Sequence, residues 1–295
     1  MVYYIQYLLV RLVILFAGLL PLEATCWIAK RVSDLAYLVM AERRKIATGN
    51  VRKAFGTTLA EAEIRKIARH SFRHIGISFV ELFLVPKLIK NAKDRFLFTG
   101  LEHLQAAFAK GKGVLFVISH VGSWEYLSFL PYLQDAPSSV VVKSIKNPYL
   151  DREIDRLRRM MTVIPVPKKT ASKKIFSDLR QNRLVAILID QWSGAEGLWT
   201  PFFGVETSTT SIPARVAQKT GCALIPGYCI RKKTGFYEIQ FHPEVPLQGN
   251  GQSCERETTE MLNRLLEAQI RKYPEQWTWG HRRWKPKPSM IREPD

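Results

Sequence analysis

The apolar and polar positions divide the chain into three stretches. From Tyr3 to Leu22 nearly every side chain is apolar, with Gln6 and Arg11 as the polar interruptions, and about 20 such residues are what a helix needs to span a bilayer. From Ala24 to Ile89 the pattern is helical and amphipathic. Ile64, Ile67, Ala68, Phe72 and Ile75 recur at three and four residues, with Arg65, Lys66, Arg69 and Arg73 between them. Beyond this, short β-rich runs (95–99, 113–119, 139–143, 184–190, 223–231 and 236–242) alternate with helical patterns, which predicts an α/β fold with a mostly parallel central sheet flanked by helices. Asn147-Pro148 reads as a cap and first-turn pair for a helix through Met161, and a last helix is expected over 256–272. The stretch TPFFGVETSTTSIPA reads as a loop entering a helix near Pro213.

The first stretch is not built like a secretory signal, because its charges lie inside and after the apolar run rather than before it. Lys30, Arg31, Arg43, Arg44 and Lys45 follow it, and no basic side chain precedes it. The positive-inside rule then sets the bulk of the protein in the cytoplasm behind a single anchor; a buried or interfacial N-terminal helix is the alternative. The division expected is an anchor over 1–23 and one catalytic domain over 24–295.

Charge narrows the partner. With 44 basic and 26 acidic residues the formal net charge is +18, so an anionic partner is implied: nucleic acid, an anionic membrane or a phosphorylated substrate. Cys26, Cys222, Cys229 and Cys254 fall at no zinc-binding spacing and are too few to staple the fold. They read as reduced, mostly buried thiols, and neither a metal site nor a cofactor is expected.

Candidate chemistry concentrates in GVLFVISHVGSWEYLSF, where an apolar strand delivers His120 to a Gly-Ser turn and Glu125 follows in the first turn of the next helix. Ligands of open α/β sheets bind at the carboxyl ends of strands. Of the six histidines only His120 has an acidic residue five positions on. A neutral imidazole can take the proton of an attacking hydroxyl, and Glu125 is the expected acceptor for the other ring nitrogen. The ending YPEQWTWGHRRWKPKP interleaves Trp277, Trp279 and Trp284 with Arg282, Arg283, Lys285 and Lys287. Tryptophans at a headgroup boundary and arginines on phosphate would suit a phosphorylated amphiphile. No nucleic-acid motif accompanies them, so lipid is favoured over single-stranded nucleic acid.

SHVGSWEY, IDQWSGAEGLWTPFFG, IPARVAQKTGCALIP and YPEQWTWGHRRWKPKP, in that order behind an apolar helix, resemble the bacterial lipid A biosynthesis acyltransferase family over nearly the whole chain. The resemblance implies transfer of an acyl group from acyl carrier protein, or from acyl-CoA, to a hydroxyl of a lipid A precursor at the cytoplasmic face of the inner membrane, with no covalent enzyme intermediate. His120 and Glu125 match the family's histidine and acidic residue, with Glu where many members have Asp. Arg158 falls where the family has an active-site arginine, with neighbouring Arg159 as the alternative. Asp190 matches an acidic position and would either pair with that arginine or cap the next turn. Asn50, in ATGNVRKAF, resembles a substrate-binding or structural asparagine. Phe202, Phe203 and Gly204 would line an acyl groove, or else form core and turn. Three other functions remain to be weighed: the same chemistry on another glycolipid such as a mannosylated phosphoinositide, a non-enzymatic basic binding module, and thioester hydrolysis. The last lacks a G-x-S-x-G nucleophile elbow.

Overall fold

In a computed structural model describing residues 1–56, 58–134, 136–249 and 251–287, a helical N-terminal region precedes a seven-stranded sheet. The final stretch of the expected domain, 288–295, lies outside the described residues. Helices α1 (Val2–Leu19), α2 (Leu22–Val39), α3 (Ala41–Phe55), α4 (Glu61–Phe83) and the short α5 (Val85–Leu88) lead to β1 (Phe96–Thr99) and α6 (Leu101–Ala109). Then come β2 (Val114–Ile118), α7 (Leu130–Gln134), β3 (Ser138–Val142), α8 (Pro148–Met160), β4 (Val163–Pro167), α9 (Ala171–Arg180) and β5 (Leu184–Leu188). The hairpin β6 (Leu198–Phe202) and β7 (Val205–Thr209), α10 (Ile212–Thr220), β8 (Ala223–Lys233), β9 (Phe236–Phe241) and α11 (Gly251–Lys272) complete the fold.

The strand order is β1-β9-β8-β2-β5-β3-β4. Five strands from β8 to β4 are parallel, and β1 with β9 runs against them. This is the expected mostly parallel α/β sheet. Central β2, VLFVI, is buried at every position, as a parallel strand covered on both faces must be. One face packs on α2, α4, α5, α6 and α8 through Phe116, Ile118, Ala186 and Leu157. The other packs on α9, α10 and α11 through Leu115, Val117, Ile187 and Val216. A third cluster joins α3, α4 and α11 to the C-terminal tail around Trp277 and Trp279.

The expected Asn147 cap is present: its side chain accepts from the main-chain N–H groups of Tyr149 and Leu150. The segment TPFFGVETSTT is not an open loop, since it forms the β6–β7 hairpin. Its two-residue turn, Phe203-Gly204, has both residues at positive φ (51° and 72°). That is the mirror-image turn whose twist suits a hairpin, so Gly204 answers a backbone requirement. α1 is apolar and unburied along its length, with a composition and length sufficient to cross a membrane. It rests on α8: Asn147 donates to the carbonyl of Tyr3, Arg11 pairs with Glu153, and Tyr4 and Tyr7 pack on Tyr149. All four cysteines are free and buried.

Candidate active site

β2 and β5 are neighbours, with Ile118 opposite Leu188. Each strand turns out of the sheet over its next residues, so His120 and Asp190, two residues past that pair, emerge side by side. His120 Nδ1 lies 2.8 Å from Asp190 Oδ1, and the main-chain N–H of His120 donates to Oδ2 at 3.0 Å. A carboxylate only accepts, so Nδ1 carries the proton and Nε2 presents its lone pair to the cavity. Trp277 Nε1 donates a third hydrogen bond to Asp190 Oδ2 at 2.8 Å. The sequence assigned this role to Glu125; the structure gives it to Asp190, because strand pairing places Asp190 beside the ring. Asp190 therefore neither meets Arg158 nor serves as a simple turn cap.

Electrostatics follow from that geometry. Burial of His120 opposes its protonation, but the charge and hydrogen bond of Asp190 prevail and raise its pKa above the usual histidine value. For Asp190 burial acts against the carboxylate, and His120 and Trp277 outweigh it, holding the group below its usual range. Gln191 Nε2 sits 3.3 Å from His120 Nε2, where its amide N–H can donate to the lone pair. Trp124 packs edge-on against the imidazole.

Glu125, in a 3-10 turn over Trp124–Phe129, forms a two-pronged ion pair with Arg158 of α8: Nε to Oε2 at 3.1 Å and Nη2 to Oε1 at 2.8 Å. The pair is largely buried and borders the same cavity as His120. Arg158, rather than Arg159, is thus the arginine brought to the site. Between His120 and Glu125 the chain makes a turn at Gly122, with φ of 71°, where a Cβ would fall 2.0 Å from the carbonyl oxygen of Cys229. Only glycine fits so close an approach. A buried cluster holds this turn from behind: His74 Nε2–H donates to Gly122 O, and Ser123 Oγ–H donates to Glu81. Glu81 is in turn paired with Arg231 and receives the Tyr237 hydroxyl.

A cavity of about 760 Å³ opens from His120, Glu125 and Arg158 into the sheet, lined by Phe116, Leu127, Val140, Leu184 and Ala186 on one side and by Ile175, Phe176 and Val216 on the other. An apolar cavity with a few convergent polar groups at its mouth has the character of a ligand site. Among the described residues no group of His, Cys, Asp and Glu side chains could hold a metal ion.

The model of the bacterial lipid A biosynthesis acyltransferase family matches residues 1–286. The chain belongs to that family. It is 26% identical over 275 residues to the lipid A biosynthesis palmitoleoyltransferase of Escherichia coli (strain K12), covering 91% of this chain and 87% of the relative. To the lipid A biosynthesis lauroyltransferase of the same organism it is 27% identical over 273 residues, covering 88% and 85%. A phosphatidylinositol mannoside acyltransferase of Mycobacterium tuberculosis (strain ATCC 25618 / H37Rv) is 24% identical over 222 residues, covering 72% and 69%. The protein is an acyltransferase of this family, and the non-enzymatic binding module falls away.

Several expected binding residues have other work in this acyltransferase. Arg283 is fully buried and does not face a phosphate: Nη1 donates to the carbonyls of Gln191 and Ser208, and Nη2 to Thr209 Oγ1. Burial pulls its pKa down to about 10, against the attraction of Asp190. Arg282 is exposed and pairs with Glu42 of α3. Asn50 is buried and donates to the carbonyls of Trp279 and His281, so it ties α3 to the tail. Phe202 and Phe203 belong to the core around Trp277 and Trp279 rather than to the cavity wall. Those two tryptophans are themselves buried, not held at a headgroup boundary. Gln191 and Trp277 are the participants that sequence reasoning missed. Adjacency of Gln191 to Asp190 was the available signal for the first; nothing in the sequence pointed from Trp277 to Asp190.

Proposed function

We propose that the enzyme transfers a fatty acyl group from a thioester of acyl carrier protein, or of coenzyme A, to a hydroxyl of a phosphorylated glycolipid, a lipid A precursor in the first instance. The observation that carries this reading is the His120–Asp190 pair with Nε2 turned toward an apolar cavity, where the exposed Gln191 amide meets it. In the mechanism, the acceptor hydroxyl displaces Gln191 from Nε2 and gives its proton to His120 as its oxygen attacks the thioester carbonyl. Asp190 fixes the reactive tautomer and stabilises the imidazolium that forms. The tetrahedral intermediate then expels the thiolate, which takes the proton back from His120, so no acyl-enzyme is needed.

In this reading Glu125 is a positioning residue. It neutralises and orients Arg158, which lines the cavity and can meet the developing oxyanion or an acceptor phosphate with the N–H groups that Glu125 does not occupy. The acyl chain lies in the apolar part of the cavity, where each buried methylene contributes about 0.8 kcal/mol. α1 is taken as a single anchor in the inner membrane, with the catalytic domain on the cytoplasmic face and the anionic leaflet beside its basic surface.

The likeness to the mycobacterial relative supports a second acceptor, a mannosylated phosphoinositide, with the same chemistry. Transfer of labelled acyl groups to each acceptor, by wild type and by His120→Ala and Asp190→Asn, tests both. Transfer to lipid A precursor that collapses in the two variants is expected. Transfer only to the phosphoinositide would reassign the acceptor, and transfer undiminished by His120→Ala would remove the mechanism.

A further inference from the structure

The cavity does not stay on one face of the sheet. β3 remains paired with β4 as far as Val142, opposite Pro167, and β5 with β2 as far as Leu188, opposite Ile118. The ladder between β3 and β5, however, ends at Val140, opposite Ala186. Past that point the two strands form a fork. Alternate side chains of a strand point to opposite faces, and both sets line the cavity: Val140, Ala186 and Leu188 toward α8, Val141 and Ile187 toward α9 and α10. The cavity thus has two arms that meet at the fork beside His120.

The arms differ in chemistry. The α8 arm is walled by Phe116, Leu127, Leu184 and Ala186 and suits a hydrocarbon chain. Four exposed cations of the α9–α10 side line the cavity: Lys143 just past β3, Lys168 between β4 and α9, and Arg215 and Lys219 on α10. Arg215 has a carboxylate, Glu255, at 3.6 Å; among the described residues Lys143, Lys168 and Lys219 have no ion-pair partner. Three ammonium groups without a carboxylate partner along one cavity wall set up a positive potential that an anion in the cavity would offset. The arms also open in different directions, since α1 rests on α8, whereas α9 and α10 cover the opposite face.

We propose that the α9–α10 arm seats the phosphorylated arm of the thioester donor, with Lys168, Lys219, Lys143 and Arg215 holding its phosphate. This rests on the acyl-transfer reading above. The donor of such a reaction carries its thioester at the end of a phosphopantetheine chain, which has two amides and one phosphate and is common to acyl carrier protein and coenzyme A. The chain enters from the face away from α1 and passes into the fork, whose parted strands offer extended main chain to its amides. Its thioester then reaches His120 while the acyl chain continues into the α8 arm. The acceptor approaches from the membrane side, so donor and acceptor do not compete for one entrance.

The test compares three donors with the same acyl chain: the carrier-protein thioester, the coenzyme A thioester and an N-acetylcysteamine thioester, which lacks the phosphate. Each is assayed with wild type, Lys168→Glu, Lys219→Glu and, as a control of equal charge change, Lys173→Glu on the exposed side of α9. Charge-assisted contacts to phosphate are strong enough that each of the first two variants lowers the preference for both phosphorylated donors over the phosphate-free one by about tenfold, through KM for the donor, while Lys173→Glu keeps the wild-type preference. Unchanged preference in Lys168→Glu and Lys219→Glu would overturn the assignment. So would an effect confined to the carrier protein, which would mean that the cations meet an acidic protein surface, or one confined to coenzyme A, which would point to its nucleotide phosphates. Absence of transfer from every thioester by folded wild type would instead refute the acyl-transfer reading.

Discussion

Trp277 and Asp190 lie 87 positions apart in the chain, and the indole N–H of the first donates to Oδ2 of the second at 2.8 Å. The C-terminal tail is thereby part of the candidate active site. Trp277 is buried against Phe202, Trp279 and Trp284, so the donor is rigidly placed. Trp277→Phe keeps most of the packing and removes one of three donors to a buried carboxylate. A hydrogen bond to a charged group contributes about 1.5–3 kcal/mol, and we expect a loss of stability in that range together with a fall in kcat. Equilibrium unfolding and steady-state kinetics, run on the same preparation, check both.

Replacing Asp190 with Asn separates charge from shape. His120 acts as a base only when neutral, so activity rises with pH through its pKa, which the charge of Asp190 lifts above the usual value. Without that charge burial dominates and the pKa falls, moving the acid limb of kcat to lower pH. The amide also offers an N–H where Nδ1–H needs an acceptor, favouring the wrong tautomer, so kcat should drop by about 100-fold or more. A pH–rate profile with an unmoved acid limb would contradict this role. The same shift bears on stability with opposite sign: a raised His120 pKa stabilises the fold below the unfolded value near 6.5, and that contribution is lost as pH rises through the folded pKa.

The sheet was legible because its strands are short, β-branched and bounded by turn residues; β2 and β5 are read directly from GVLFVISH and LVAILID. The position of His120 at the cavity was legible for the same reason, since it follows a buried strand. Its partner was not. Spacing along the chain favoured Glu125, but which strand lies beside β2 is set by pairing between segments 70 residues apart, and one sequence does not contain that information. The tail misled in a related way. Interleaved Trp and Arg suit a lipid headgroup and also suit a core in which indoles pack and one guanidinium satisfies buried carbonyls, as Arg283 does. Burial separates those cases, and residue type does not.

Glu125 and Arg158 should behave as a unit. Removing the carboxylate in Glu125→Gln leaves Arg158, which is largely buried, with only the more distant Asp155, at 3.5 Å, as counter-charge. The expected cost is about 2 kcal/mol, toward the low end for a broken buried pair because some exposure remains. Kinetic defects of Glu125→Gln and Arg158→Met should fall well short of additive in the double variant, as expected of residues in direct contact. Additive defects would mean that Glu125 acts on the substrate independently of Arg158.

Arg282 and Arg283 are adjacent in sequence and should differ sharply in effect. Arg282 is exposed, and its pairing with Glu42 joins two exposed side chains, so Arg282→Ala should leave stability within about 0.5 kcal/mol of wild type. Arg283 bridges the segment after β5 to the end of β7, donating to Gln191 O, Ser208 O and Thr209 Oγ1, with its guanidinium over the Phe202 ring. Arg283→Ala removes one donor each from the buried Ser208 O and Thr209 Oγ1 and from the partly buried Gln191 O, and opens a void beside Phe202, a combination that costs about 3 kcal/mol or more. Because Gln191 and Asp190 stand on the same segment, the loss should also appear as lower kcat at temperatures where the variant is still folded. Arg283→Lys should recover little of either, since one ammonium cannot reach three acceptors that a planar fork spans. Thermal unfolding in detergent, with kcat measured well below each midpoint, distinguishes this scaffold role from phosphate binding, which would raise KM for the acceptor and leave the midpoint in place.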